Sequence, residues 1–132
     1  LKKLGGFIEK RREIAGTYGE AFSNIDFLII PEVHNSVEHV YHLYPLLIDF
    51  DKLDLSKLEF FKTMKQAGIN LQVHYIPIHL QPFYRKKYGF QKGDFPISEK
   101  FYKQEVSLPI YPDLSSEDQE RVIENIVEYV DS

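Results

Sequence analysis

With 132 residues, the chain has the length of one domain and too little for two independent cores of ordinary size. It is 43% hydrophobic and 27% charged, a globular balance; the formal net charge of −4 gives no electrostatic reason to expect nucleic acid or an anionic membrane as a partner. There is no cysteine, which excludes disulfides, thiolate catalysis and cysteine-bound zinc or iron–sulfur centres.

No apolar run approaches the roughly 20 residues of a membrane-spanning helix, and LKKLGGFIEK lacks the apolar centre of a signal peptide. A soluble, cytoplasmic protein is the expectation. The chain starts with Leu1 inside an apolar periodicity, which suggests a piece cut from a longer polypeptide.

Leu1, Leu4, Ile8, Ala15, Tyr18 and Phe22 recur at helical spacing and predict an amphipathic helix over residues 1–22, with Lys10, Arg11, Arg12 and Glu13 on its wet face. Glycines at 5, 6, 16 and 19 weaken it, so packing is expected to hold it. After turn residues at 23–26, HVYHLYPLLIDF (39–50) reads as a strand, which Pro45 confines to a sheet edge or a bulge. Ser56 and Glu59 have the form of a capping box with Leu55 as its staple, opening a helix from Lys57 to about Ala67 that Gly68 ends.

Ile69, Leu71 and Val73 alternate and predict a half-buried strand over 69–75. Residues 84–95 read as a mobile basic loop or a short turn of helix, 98–104 as a short helix and 106–110 as a brief strand. The last helix begins at Ser115, with Val122, Ile126 and Val130 four apart. The sum is a single two-layer α/β (α+β) domain with a small, mostly antiparallel sheet.

Few motifs carry chemistry. The five histidines do not predict a metal site: His39 and His42 differ by an odd number on a predicted strand, as do His74 and His79, and no acidic residue lies in 71–84. Nucleotide-phosphate loops and the G-x-S-x-G elbow are absent. Arg85, Lys86, Lys87 and Lys92, mixed with Tyr88 and Phe90, read first as a solvated loop, with assistance to a bound diphosphate and nucleic-acid contact as lesser readings. In VHYIPIHLQPFY (73–84) the polar side chains are restrained by prolines and apolar neighbours, as the wall of a pocket requires.

LQVHYIPIHLQPFYRKKYGF, followed by EKFYKQEVSLPIYPDLS, resembles the C-terminal small domain of the DegT/DnrJ/EryC1/StrS sugar-nucleotide aminotransferases. LKKLGGFIEKRREIAGTYGEAF is similar to that family's helix linking large and small domains, and HVYHLYPLLI to the first small-domain strand. The wording resembles in particular the UDP-4-amino-4,6-dideoxy-N-acetyl-β-L-altrosamine transaminases. The resemblance implies the small domain of a fold-type I enzyme that uses pyridoxal phosphate (PLP), acts as a homodimer and takes L-glutamate as amino donor to a nucleotide-linked keto-deoxy-sugar.

It also implies that the Schiff-base lysine and the other cofactor contacts lie in the large domain, that no catalytic residue belongs to this segment and that the segment is inactive by itself. By the match of YIPIH to the loop approaching the substrate, His79 is the first candidate for substrate contact. His74, Tyr75 and Gln81 follow. The rival class is a stand-alone nucleotide-sugar-binding or protein-interaction domain, which would bind its ligand without PLP.

Overall fold

The computed structural model describes residues 2–131. Leu1, expected to open the apolar stripe of the first helix, lies outside the described residues. Five helices, α1 (Leu4–Phe22), α2 (Lys57–Gln66), α3 (Pro82–Tyr88), α4 (Pro96–Gln104) and α5 (Ser116–Val130), accompany three strands, β1 (Leu28–Ile29), β2 (Tyr44–Ile48) and β3 (Glu105–Leu108). The strands form one antiparallel sheet in the order β1-β2-β3.

Strand alternation sets the layers. Tyr44, Leu46 and Ile48 of β2 and Val106 and Leu108 of β3 face a core shared with Tyr18 and Phe22 of α1, Phe60 and Met64 of α2, and Val122, Ile126 and Val130 of α5. Rings fill it: Tyr18 lies 5.1 Å from Tyr44, and Phe60 5.0 Å from Tyr129. The α2 helix begins at Ser56, whose side chain accepts from the Glu59 N–H, and it ends before Gly68 at φ +78°. The box closes on one side only, because the Glu59 carboxylate pairs with Lys62 at 2.8 Å.

The structure revises several expectations. The predicted strand over 39–50 shortens to Tyr44–Ile48, because His39, Tyr41 and His42 give their carbonyls to α1: Arg11 Nη1 donates to the carbonyls of Tyr41, His42 and Ile110, and Arg12 Nε to that of His39. Arg11 is therefore a half-buried strut and not a wet-face residue.

Pro45 lies in the central strand and needs no bulge. Its partner Ser107 exchanges both main-chain hydrogen bonds with Gln72 on the far side of β3, so the Pro45–Ser107 pair is a non-bonded one. The proline nitrogen then points toward the β1 side, where β1 reaches only Leu47 and Ile48.

The strand expected over 69–75 contributes a single bridge, Gln72 to Ser107. Ile69 is buried in the core, but after Gln72 the chain leaves β3. The basic segment after Tyr84 is the continuation of α3, which starts at Pro82 and is closed by Gly89 at φ +75°.

Candidate functional site

The second face of the sheet carries the polar chemistry. Glu105 and Ser107 alternate with Val106 and Leu108, so they point away from the core, yet they are only 1% and 5% exposed. The segment 72–75 covers them. Glu105 accepts the His74 main-chain N–H at 3.0 Å on Oε2 and the Ser107 hydroxyl on Oε1, while Ser107 Oγ lies 2.6 Å from His74 Nδ1. Burial of a carboxylate is tolerable only with such partners and a nearby cation. The cation is Lys57, whose Nζ donates to the carbonyls of Glu105 at 2.7 Å and Tyr102 at 2.8 Å and lies 5.4 Å from the Tyr102 ring. Burial lowers the Lys57 pKa, against the pull of Glu105.

His74 borders a groove of about 280 Å³ shared with His42, Asn70, Gln72 and Tyr111. Its ring meets that of Tyr75 edge-on at 4.6 Å, and the peptide between the two is cis. Tyr75 is 73% exposed, and Ile76, Ile78 and Gln81 are exposed beside it.

His79 is placed differently. It is 6% exposed; its Nε2 lies 2.8 Å from Glu99 Oε1 of α4, and its ring lies 4.7 Å from Phe95. Gly93 N–H donates to the same carboxylate oxygen at 2.7 Å. The His79 contact, followed by that of Gly93, holds the Glu99 carboxyl below its ordinary value. The residue expected to reach a ligand is thus turned inward, clamping the 3₁₀ turn Ile78–Leu80 to α4. Of the four candidates, Tyr75 and Gln81 face outward and His74 borders a groove. His74 and His79 share no hydrogen-bond partner, because one is held by β3 and the other by α4.

The surface around this loop is unusually apolar for a folded chain. Ile76, Ile78, Phe83, Tyr88, Ile97 and Phe101 are each at least 41% exposed. Among them stand the cations of α3, with Lys87 Nζ 5.4 Å from the Phe83 ring and 5.3 Å from the Tyr88 ring. Among the described residues no three His, Asp or Glu side chains converge as a metal site would need. No helix of the described residues is long and apolar enough to cross a membrane.

The residue of this cluster that the sequence reading missed is Glu105. It reads as an ordinary strand-start acid, and the only signal was that E-V-S places two polar groups on one strand face, four and two residues before Pro109. The FLII run before Pro31 was a comparable unused signal, for β1.

Comparison with known proteins places this geometry. The model of the DegT/DnrJ/EryC1/StrS aminotransferase family matches residues 1–127. The chain is 47% identical over 118 residues to an uncharacterized protein of Methanocaldococcus jannaschii, covering 89% of this chain and 31% of the relative. It is 40% identical over 131 residues to the spore coat polysaccharide biosynthesis protein SpsC of Bacillus subtilis (98% and 34% covered). To the UDP-4-amino-4,6-dideoxy-N-acetyl-β-L-altrosamine transaminase of Campylobacter jejuni it is 35% identical over 118 residues (89% and 31%).

Among solved structures, S. venezuelae DesV in complex with a ketimine intermediate superposes with a TM-score of 0.89 at 26% identity, over 100% of this chain and 34% of that one. The chain spans about a third of the length of the relatives it matches.

Proposed function

Because the chain belongs to the DegT/DnrJ/EryC1/StrS aminotransferase family, we propose that it is the C-terminal small domain of a PLP-dependent enzyme that moves an amino group from L-glutamate to a nucleotide-linked keto-deoxy-sugar. The favoured acceptor is a UDP-4-keto-6-deoxy-N-acetylhexosamine, and the setting is cell-surface polysaccharide or flagellin glycan synthesis in the cytoplasm. Residues 4–22 form the helix that leads in from the large domain, and the working assembly is a homodimer. The observation that carries the reading is the family match along residues 1–127, joined to an apolar face around Tyr75 that this chain does not cover.

The residues present do not fit PLP as its principal holders. Of the described lysines only Lys57 is withdrawn from water, and its ammonium is engaged by two main-chain carbonyls, so it offers no nitrogen for a Schiff base. Every other lysine is exposed. We therefore assign the cofactor lysine and phosphate contacts to polypeptide outside this chain, and to this chain a shaping role. Tyr75 and Gln81 meet the sugar nucleotide, His74 meets it from the edge of its groove, and His79 fixes the loop from behind.

The test is amino transfer by the complete polypeptide, loaded with PLP, from glutamate to UDP-4-keto-6-deoxy-N-acetylhexosamine and to a dTDP-3-keto-6-deoxyhexose. Turnover of the first supports the proposal in full. Turnover of the second alone overturns the choice of sugar, and turnover of neither, with no PLP bound, overturns the class.

A further inference from the structure

The hydrogen-bond chain on the outer face of β3 fixes more than the position of His74. Ser107 has one hydroxyl hydrogen and two neighbours, the Glu105 carboxylate and His74 Nδ1. A carboxylate can only accept, so the hydrogen lies between Ser107 Oγ and Glu105 Oε1. Ser107 Oγ must then accept, and what faces it at 2.6 Å is Nδ1–H. The reverse arrangement would set a serine lone pair against a carboxylate lone pair in a place where both residues are at most 5% exposed, with no hydrogen between them. The ammonium of Lys57 donates to the main-chain carbonyl of the same Glu105 at 2.7 Å, which holds the start of β3 in place. Glu105 Oε2 meanwhile holds the His74 main-chain N–H, so one carboxylate restrains both backbone and ring of the same residue.

With Nδ1 protonated, neutral His74 has its lone pair on Nε2, which has no hydrogen-bond partner among the described residues. The groove that His74 borders is lined by groups suited to a hydroxyl-rich ligand: the amides of Asn70 and Gln72, the imidazole of His42 and the phenol of Tyr111. We propose that Glu105 and Ser107 are positioning residues that lock His74 in its Nδ1–H tautomer and present Nε2 as an acceptor to a hydroxyl or amino group of the ligand. An oxyanion, which needs donors, is disfavoured at this nitrogen. The presentation to ligand rests on the functional reading above; the tautomer does not.

The experiment uses the complete polypeptide carrying this chain, labelled with ¹⁵N-histidine and examined by long-range proton–nitrogen correlation at about pH 8, above the usual imidazole range. His74 is assigned by the signal lost in His74→Phe. The expected result is an unprotonated Nε2 and a protonated Nδ1 in the wild type, a shift toward the Nε2–H form in Ser107→Ala, and return of the wild-type pattern in Ser107→Thr. A wild-type His74 protonated on Nε2, or a tautomer indifferent to Ser107→Ala, overturns the relay.

In amino transfer, Ser107→Ala is expected to raise KM for the keto-sugar about five- to tenfold with kcat within about twofold, the loss of one oriented hydrogen bond, and Ser107→Thr to restore it. The expected tautomer with an unchanged KM overturns the presentation to ligand. A wild-type polypeptide that transfers no amino group overturns the functional reading alone, the tautomer being decided by the spectrum.

Discussion

Replacing Glu105 by Ala is expected to destabilise the chain by about 2–4 kcal/mol, although the residue belongs to no hydrophobic cluster. The carboxylate is 1% exposed and accepts from the His74 N–H at 3.0 Å and from the Ser107 hydroxyl. Its removal orphans the N–H, at about 1–3 kcal/mol. The hydroxyl loses less, about 1 kcal/mol at most, because it can turn and donate to His74 Nδ1. Loss of the buried methylene adds about 0.8 kcal/mol, and relief of the carboxylate's own desolvation subtracts from the sum. The assay is urea unfolding of wild type, Glu105→Ala, Ser107→Ala and the double variant, with unchanged slopes required for comparison. The two losses are expected to fall short of additivity by at least about 0.5 kcal/mol, because the residues share one network. A Glu105→Ala variant within about 0.5 kcal/mol of wild type would refute the view that this carboxylate anchors the loop.

The Glu99 carboxyl is held low by His79 and Gly93, so its contribution is present above the ordinary glutamate value of 4.5 and is lost as pH falls through the depressed one. The Gly93 amide shift should accordingly titrate with a midpoint below 4.5 and not at all in Glu99→Gln; a midpoint above 4.5 counts against the clamp. Tyr18→Phe removes the hydroxyl that donates to the Pro109 carbonyl at 2.9 Å and should lower stability by about 1 kcal/mol in urea unfolding. Burial raises the Tyr18 and Tyr44 phenols, so the folded chain keeps them protonated; stability should fall as pH rises past the ordinary value of 10.0, visible as a declining unfolding midpoint. Ser115→Ala deletes the N-cap acceptor for the Asp118 N–H at 3.0 Å and should cost α5 about 1 kcal/mol, measured by thermal unfolding.

Helices α2 and α5 were legible because their signals are local: a serine cap, a four-residue apolar spacing and, for α2, a glycine stop lie within one stretch of chain. The strand expected over 69–75 was not, because alternation reports burial of one face and not ladder pairing; Ile69 is buried as expected while only Gln72 pairs. The start of α1 shows the same gap from the other side. Its apolar periodicity is real, yet Leu4 is 53% exposed, since periodicity states which face is apolar and not what covers it.

The ordered motifs determined by themselves the family, the two ends of α2, the start of α5 and the choice of 73–84 as the segment to watch. Only the tertiary structure decided how its polar groups are used: His79 turned inward to Glu99, His74 tied to Ser107 and Glu105, Arg11 drawn from the surface to three carbonyls. These partners lie 20 to 99 residues apart, and a hydrogen bond is set by distance in space and by the absence of competing water. Neither quantity exists until the sheet has brought β3 against the loop and α4 against the 3₁₀ turn.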